Sequence, residues 1–151
     1  ILFVDADMRN PSVHREFRVG NSVGLSSFLE SRVAATDACQ KTSIPGLTLM
    51  VSGPLPPNPA ELIAGPDMRS FLTVAGENFD MVIVDAPPIL GLADAPLLAS
   101  MADATLFVVA AGAARIREAE NLTDTQPSHP FPLAPDPLFG NRAAAIPGGE
   151  S

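Results

Sequence analysis

The sequence has no tryptophan, no tyrosine, one cysteine and one lysine, although it contains eight phenylalanines. With Cys39 as the single cysteine, an internal disulfide and a cysteine-based zinc site are both excluded. Charged residues make up only 17% of the 151 residues, and the formal net charge is −8. An acidic chain is a poor partner for a phosphate backbone, which argues against nucleic-acid binding. The hydrophobic fraction of 46% argues against wholesale disorder.

Long hydrophobic runs are also missing. No segment approaches the roughly 18 apolar residues that a membrane-spanning helix needs, and no basic region precedes an apolar run as in a signal peptide. The length suits one domain with a sizeable core. Because the chain opens with Ile1 inside an apolar run instead of with methionine, we expect it to be a piece of a longer polypeptide.

Four short apolar runs predict strands that are buried on both faces, as in parallel sheets. They are residues 1–4 before Asp5, residues 47–51, residues 81–84 before Asp85, and residues 105–109. Strands that alternate with helices predict an α/β fold, a parallel sheet with helices on both faces. Ligands of such sheets bind at the carboxyl ends of the strands, where Asp5 and Asp85 lie.

Helix signals separate these runs. The first predicted helix covers residues 24–29, with Ser22 as a cap, and the second runs from Pro59 to about Gly65, with Asn58 as N-cap and Glu61 in its first turn. The third covers residues 66–76 and places four apolar side chains on one face: Met68, Phe71, Leu72 and Ala75. The fourth is capped by Asp94 and carries Leu97, Leu98 and Met101. From about residue 121 onward the chain has six prolines and no apolar periodicity. We therefore expect a folded part over residues 1–120 and a disordered, proline-rich tail over residues 121–151.

Acidic side chains follow two of the predicted strands. Asp5 and Asp7 come at the exit of the first, where unpaired negative charge is unfavourable. A hydrated Mg²⁺ ion would relieve it, since Mg²⁺ keeps several waters and takes one or two carboxylates. The alternative is that Asp5 caps a turn while Asp7 points to solvent. An apolar strand that ends in Asp85, followed by Pro87 and Pro88, has the Walker B pattern, whose aspartate holds the metal of a bound nucleotide.

A third motif, residues 53–62, indicates by itself only a rigid loop that leads into a capped helix. Together and in this order, the three motifs resemble those of the bacterial tyrosine kinases of capsule and exopolysaccharide export, which are P-loop proteins of the MinD/ParA-like class. Residues 5–11 resemble the Walker A′ segment of that family, residues 53–62 its Gly-X-X-Pro-Pro-Asn-Pro-X-Glu-Leu loop, and residues 82–88 its Walker B segment. The resemblance covers roughly residues 1–112.

The resemblance implies an ATP-dependent protein-tyrosine kinase that uses Mg²⁺. It implies that Asp5 accepts the tyrosine hydroxyl proton, and that Asp5, Asp7 and Asp85 bind Mg²⁺, Asp5 and Asp7 through its water shell. We expect Arg9 to pair with a nearby carboxylate. The complete family member is implied to be a homo-oligomer that regulates polysaccharide polymerisation and export. It would act at the cytoplasmic face of the plasma membrane, with a chain-length regulator, or polysaccharide co-polymerase, as its membrane partner.

Two features of the family are missing from these 151 residues. The first is the phosphate-cradling P-loop, Gly-X-X-X-X-Gly-Lys-Ser/Thr, which in the family lies upstream of Walker A′. Lys41 and Thr42 are no substitute, because no glycine precedes them to form a cradle and they do not follow a buried strand. The second is the tyrosine-rich tail, since the resemblance fades after about Arg117 and no tyrosine follows.

We therefore expect the isolated chain to be inactive, and no nucleotide-cradling residue is assigned. Two other interpretations stay open: a fragment of a MinD/ParA-like ATPase, and a truncated product without catalysis.

Overall fold

The computed structural model describes residues 1–88 and 94–108. The chain divides into two units, Ile1–Met101 and Ala102–Ser151, and only residues 102–108 of the second are described. In chain order the elements are β1 (Leu2–Asp5), α1 (Val13–Glu16), α2 (Leu25–Leu29), α3 (Ala35–Ala38), β2 (Cys39–Lys41), β3 (Thr48–Met50), α4 (Pro59–Ala64), α5 (Pro66–Asn78), β4 (Val82–Asp85) and α6 (Asp94–Ala99).

The strands form a mixed sheet in the order β2-β3-β1-β4. The strand β1 pairs in parallel with both β3 and β4, and in this register Phe3 lies between Leu49 and Ile83. The α/β fold and the parallel core are confirmed. The strand β2, which pairs antiparallel with β3, was not predicted.

Alternate residues of each strand point to opposite faces of the sheet, and both faces carry helices, five on one face and the four-residue α1 on the other. On one face, Leu2 and Val4 join a core with buried residues of five helices: Leu25, Leu29, Ala38, Ile63, Met68, Phe71, Ala75 and Leu98. On the other face, Leu49 packs with Val13 of α1, and the rings of Phe3 and Phe17 lie 6.3 Å apart. The prediction of helices on both faces is therefore confirmed.

The helices α4 and α5 follow the predicted signals closely. Pro59 and Pro66 each occupy a first helical position, where a missing N–H costs nothing. Gly65 separates the two helices in an extended conformation (φ −66°, ψ 161°). The helix α5 buries Met68, Phe71 and Ala75 as predicted and runs on to Asn78.

The N-terminus of α2 differs from the prediction. Its N-cap is Gly24, not Ser22. A Cβ atom on Gly24 would lie 2.1 Å from the carbonyl oxygen of Val51, so only glycine allows α2 to approach the chain that leaves β3. The N–H of Leu25 uses this approach and donates to the same oxygen at 2.8 Å.

The apolar run at residues 105–109 was predicted to be a strand, and this is wrong for its described part. Residues 105–108 form no strand, and Leu106 and Val108 are exposed. An apolar run becomes a strand only where a neighbouring strand takes its hydrogen bonds, and periodicity does not report the neighbour. The boundary near residue 120 and the tail over residues 121–151 lie outside the described residues. Within the described ranges, no helix has both the length and the apolar character needed to cross a membrane.

Candidate active site

The carboxyl ends of β1 and β4 bring Asp5 and Asp85 together. The two residues are partners in the parallel register, so their side chains lie at the same edge and on the same face of the sheet. The N–H of Ala6 donates to the carbonyl oxygen of Asp85 at 2.8 Å, which extends the pairing one residue beyond β1. The predicted placement on adjacent strands is confirmed.

The carboxylate of Asp5 is fixed from two sides. The residue is fully buried, and its Oδ1 and Oδ2 accept the backbone N–H groups of Asp7 at 3.1 Å and Val13 at 3.3 Å. Burial raises the pKa of Asp5, and the negative charge of Asp85 adds to this against the lowering effect of the Val13 N–H. Asp5 therefore caps the turn after β1, as the alternative expected, and is at the same time a buried carboxylate whose pKa is raised.

Asp7 and Asp85 belong to the same electrostatic environment. Asp7 is half-buried, and its Oδ1 accepts the N–H of Asn10 at 3.0 Å. Burial raises the pKa of Asp85, and the charge of Asp7 raises it further. Asp7 also contributes to the raised pKa of Asp5. The charges of Asp7 and Asp85 thus oppose the ionisation of Asp5, and the charge of Asp7 opposes that of Asp85.

Arg9 lies beside this group but pairs elsewhere. Its Nε is 2.9 Å from Oδ2 of Asp94, and its Nη2 is 3.5 Å from Oδ1 of the same side chain. The predicted pairing of Arg9 with a carboxylate is confirmed. The partner, Asp94, was expected to cap α6. It is instead the first residue of that helix, and its carboxylate binds Arg9.

The donor chemistry of the three carboxylates suits a hydrated magnesium ion. Across residues 1–88 and 94–108, no three or more His, Cys, Asp or Glu side chains are grouped so as to hold a metal ion. Carboxylate oxygens are nevertheless the hard donors that Mg²⁺ takes while it keeps its waters. Burial is the main cause of the raised pKa values of Asp5 and Asp85, and neighbouring carboxylates add to it, so a cation here would stabilise their charged forms. The metal-binding roles of Asp5, Asp7 and Asp85 stay predictions.

Lys41 and Thr42 lie away from any phosphate cradle. Lys41 is the exposed last residue of β2, and the hydroxyl of Thr42 donates to the carbonyl oxygen of Leu47 at 3.0 Å. The pair therefore belongs to the connection between two antiparallel strands, in agreement with its rejection as a P-loop.

Sequence reasoning missed a polar support at the carboxyl end of β3. The side-chain amide of Asn21 binds both backbone groups of Gly53: Oδ1 accepts its N–H at 2.9 Å, and Nδ2 donates to its carbonyl oxygen at 3.0 Å. The buried Ser26 donates its hydroxyl to the carbonyl oxygen of Pro54 at 2.7 Å. Gly53 has a positive φ of +80°, which favours glycine. The glycine that opens the third motif was the one sequence signal for this turn.

Known proteins are similar to this chain in sequence over most of its length. The tyrosine-protein kinase YwqD of Bacillus subtilis (strain 168) is 41% identical over 125 residues, a match that covers 79% of this chain and 53% of YwqD. The tyrosine-protein kinase etk of Escherichia coli (strain K12) is 38% identical over 93 residues. The homologues of this chain are named as bacterial tyrosine-protein kinases.

Solved structures agree. The chimerical protein CapA2B2 superposes with a TM-score of 0.76 at 33% identity, over 82% of this chain and 55% of that protein. The kinase domain of E. coli ETK gives a TM-score of 0.63 at 38% identity, over 65% of this chain and 38% of the domain. No protein-family model matches the chain. The chain spans about half of YwqD and 13% of etk, so it corresponds to a part of these kinases.

Proposed function

We propose that this chain supplies the carboxylate half of the active site of an ATP-dependent protein-tyrosine kinase. The observation that carries the proposal is the register pairing of Asp5 with Asp85, with Asp7 in the same electrostatic environment. Phosphoryl transfer needs positioning and charge neutralisation more than covalent chemistry by the protein. Carboxylates held at one edge of a sheet meet both needs.

Asp5 is the residue proposed to accept the proton of the tyrosine hydroxyl. A general base works best when its pKa lies close to the working pH, and burial beside Asp85 moves the pKa of Asp5 in that direction. The N–H groups of Asp7 and Val13 fix the orientation of its carboxylate, so that little reorganisation is needed when the proton moves.

Asp7 and Asp85 are proposed to hold Mg²⁺ together with Asp5. When bound, the ion would neutralise charge on the phosphates of ATP. The carboxylates would bind its water shell, since Mg²⁺ in proteins keeps several of its waters. Asp7 is held in place by the Asn10 N–H, and Asp85 by the β1–β4 pairing.

For the complete protein we propose a homo-oligomeric kinase that regulates exopolysaccharide or capsule polymerisation and export. Its partner would be a membrane chain-length regulator, in the same or a separate chain, and it would act at the inner face of the plasma membrane. The names of the relatives support the kinase activity, and the likeness to the chimerical protein CapA2B2 supports a partner that can be joined to the kinase.

Phosphotransfer from radiolabelled ATP tests the proposal on two proteins. One is the 151-residue chain, and the other is a chimera in which the YwqD segment that precedes its match to this chain is fused to Ile1 and the YwqD C-terminal end replaces residues 121–151. We expect Mg²⁺-dependent tyrosine phosphorylation by the chimera and none by the chain alone, because the chain has no P-loop to fix the phosphates. A folded chimera without activity would contradict the kinase assignment. Tight, Mg²⁺-dependent ATP binding by the isolated chain in calorimetry would contradict its inactivity.

A further inference from the structure

The ion pair between Arg9 and Asp94 joins a loop of the candidate site to a rigid helix. Arg9 lies in the irregular segment after β1, two residues beyond Asp7, and its side chain is 42% exposed. The side chain of Asp94 is 2% exposed, and its neighbour Ala95 is buried. The exposed cation is therefore held by a buried anion.

Two carboxylates compete for this cation. The hydrogen bond that Arg9 donates to Asp94 is the main cause of the raised pKa of Arg9, and the charges of Asp94 and Asp7 add to it. Among the residues that the structure describes, the guanidinium donates to Asp94 alone, through Nε and Nη2. Asp7 lies two residues before Arg9 in the same loop, and a guanidinium released from Asp94 would form a charge-assisted pair with it.

We propose that Asp94 is a positioning residue that keeps the guanidinium of Arg9 off the carboxylate of Asp7 and so leaves Asp7 open to a divalent cation. The inference rests on the proposed function of Asp5, Asp7 and Asp85. An arginine paired with Asp7 would occupy the oxygen atoms and cancel the charge that attract a hydrated ion. Asp94 retains that charge for the cation by binding the arginine itself.

Single substitutions do not distinguish two roles of the ion pair: stabilising the loop, and holding Arg9 away from Asp7. If the pair only stabilises the loop, then removing either partner disturbs the site, and removing both disturbs it equally. If Asp94 restrains Arg9, then Asp94→Asn weakens cation binding because the released guanidinium turns to Asp7. Removing Arg9 as well abolishes the competitor and restores binding.

The test titrates MgCl₂ into the 151-residue chain and follows the side-chain carboxyl carbons of Asp5, Asp7 and Asp85 by NMR. We expect Asp94→Asn to weaken Mg²⁺ binding by about threefold, the range of a partly screened charge pair. The double variant Arg9→Gln/Asp94→Asn should bind at least as tightly as the unsubstituted chain. Asp37→Asn, which removes an exposed carboxylate on α3, is the matched control and should change nothing.

Two results would overturn the inference: Asp94→Asn binding Mg²⁺ as tightly as the unsubstituted chain, or the double variant binding as weakly as Asp94→Asn. An unsubstituted chain that binds no Mg²⁺ would count against the proposed metal site instead. In that case the Nε–Hε resonance of Arg9 tests the inference by itself. The inference requires this resonance to shift in Asp94→Asn and to show new contacts between Arg9 and Asp7. A resonance that does not shift would overturn the inference on its own.

Discussion

Asp5 and Asp85 are register partners at the ends of two adjacent parallel strands, and the charge of Asp85 contributes to the raised pKa of Asp5. Burial also raises the pKa of Asp85, and the charge of Asp7 adds to it. The sheet itself thus creates the repulsion that a bound cation would relieve.

Removing the charge of Asp85 should lower the pKa of Asp5. In Asp85→Asn the desolvation of Asp5 persists, but its electrostatic repulsion from β4 is lost. The measurement is a pH titration of the Asp5 carboxyl carbon by NMR. Asp80→Asn is the matched control, since Asp80 is exposed just before the same strand and should leave the titration unchanged. An Asp5 titration that is identical in Asp85→Asn and the unsubstituted chain would contradict the coupling.

The stability of the fold should fall as the pH rises through the titration of Asp5 and Asp85. Both folded-state pKa values lie above the ordinary value of 3.8, so the folded protein binds more protons than the unfolded chain between 3.8 and those raised values. Each group therefore destabilises the fold increasingly over that window and by a constant amount above it. Urea denaturation should show a smaller fall in the free energy of unfolding for Asp85→Asn than for Asp80→Asn. Equal falls would contradict the linkage.

The predictable parts of the structure are those that local patterns determine. Continuous apolar runs before Asp5 and Asp85 indicated the parallel strands, and the prolines at positions 59 and 66 indicated where α4 and α5 begin. The two apolar runs also placed Asp5 and Asp85 at one edge of the sheet. Asp7 followed because it is only two residues from Asp5.

The missed parts depend on distant partners or on very few residues. The strand β2 has three residues, none of them fully buried, and owes its conformation to pairing with β3. Asp94 lies 85 residues from Arg9, so no local pattern could join them. Residues 105–108 show the converse error, an apolar run that local pattern over-interpreted as a strand.

Two glycine substitutions should have opposite effects on stability. In Gly24→Ala the new Cβ would meet the Val51 carbonyl oxygen at 2.1 Å and the Gly53 nitrogen at 2.5 Å, both of them backbone atoms that cannot turn away. We expect a loss of about 3 kcal/mol or more in the free energy of unfolding. In Gly76→Ala the Cβ meets nothing within 4 Å inside α5, and a gain of about 0.5–1 kcal/mol follows from helix propensity. Urea denaturation measures both, and a Gly24→Ala protein as stable as Gly76→Ala would contradict the close approach of α2.

In the chimera with a restored P-loop, loss of a site carboxylate should reduce phosphotransfer far more than loss of a nearby structural one. Asp5→Asn removes the proposed base, whose help is typically worth about 10²–10⁴-fold, and Asp85→Asn removes a charge from the proposed magnesium shell. Glu61→Gln is the comparison, because Glu61 accepts a hydrogen bond from Asn58 at 3.0 Å at the start of α4 and its loss costs about 1 kcal/mol of helix stability. Phosphotyrosine formation from radiolabelled ATP, measured side by side, should fall by orders of magnitude in the two aspartate variants and little in Glu61→Gln. If Asp5→Asn stayed active while Glu61→Gln lost activity, the chemistry would belong to the loop before α4 and not to the ends of β1 and β4.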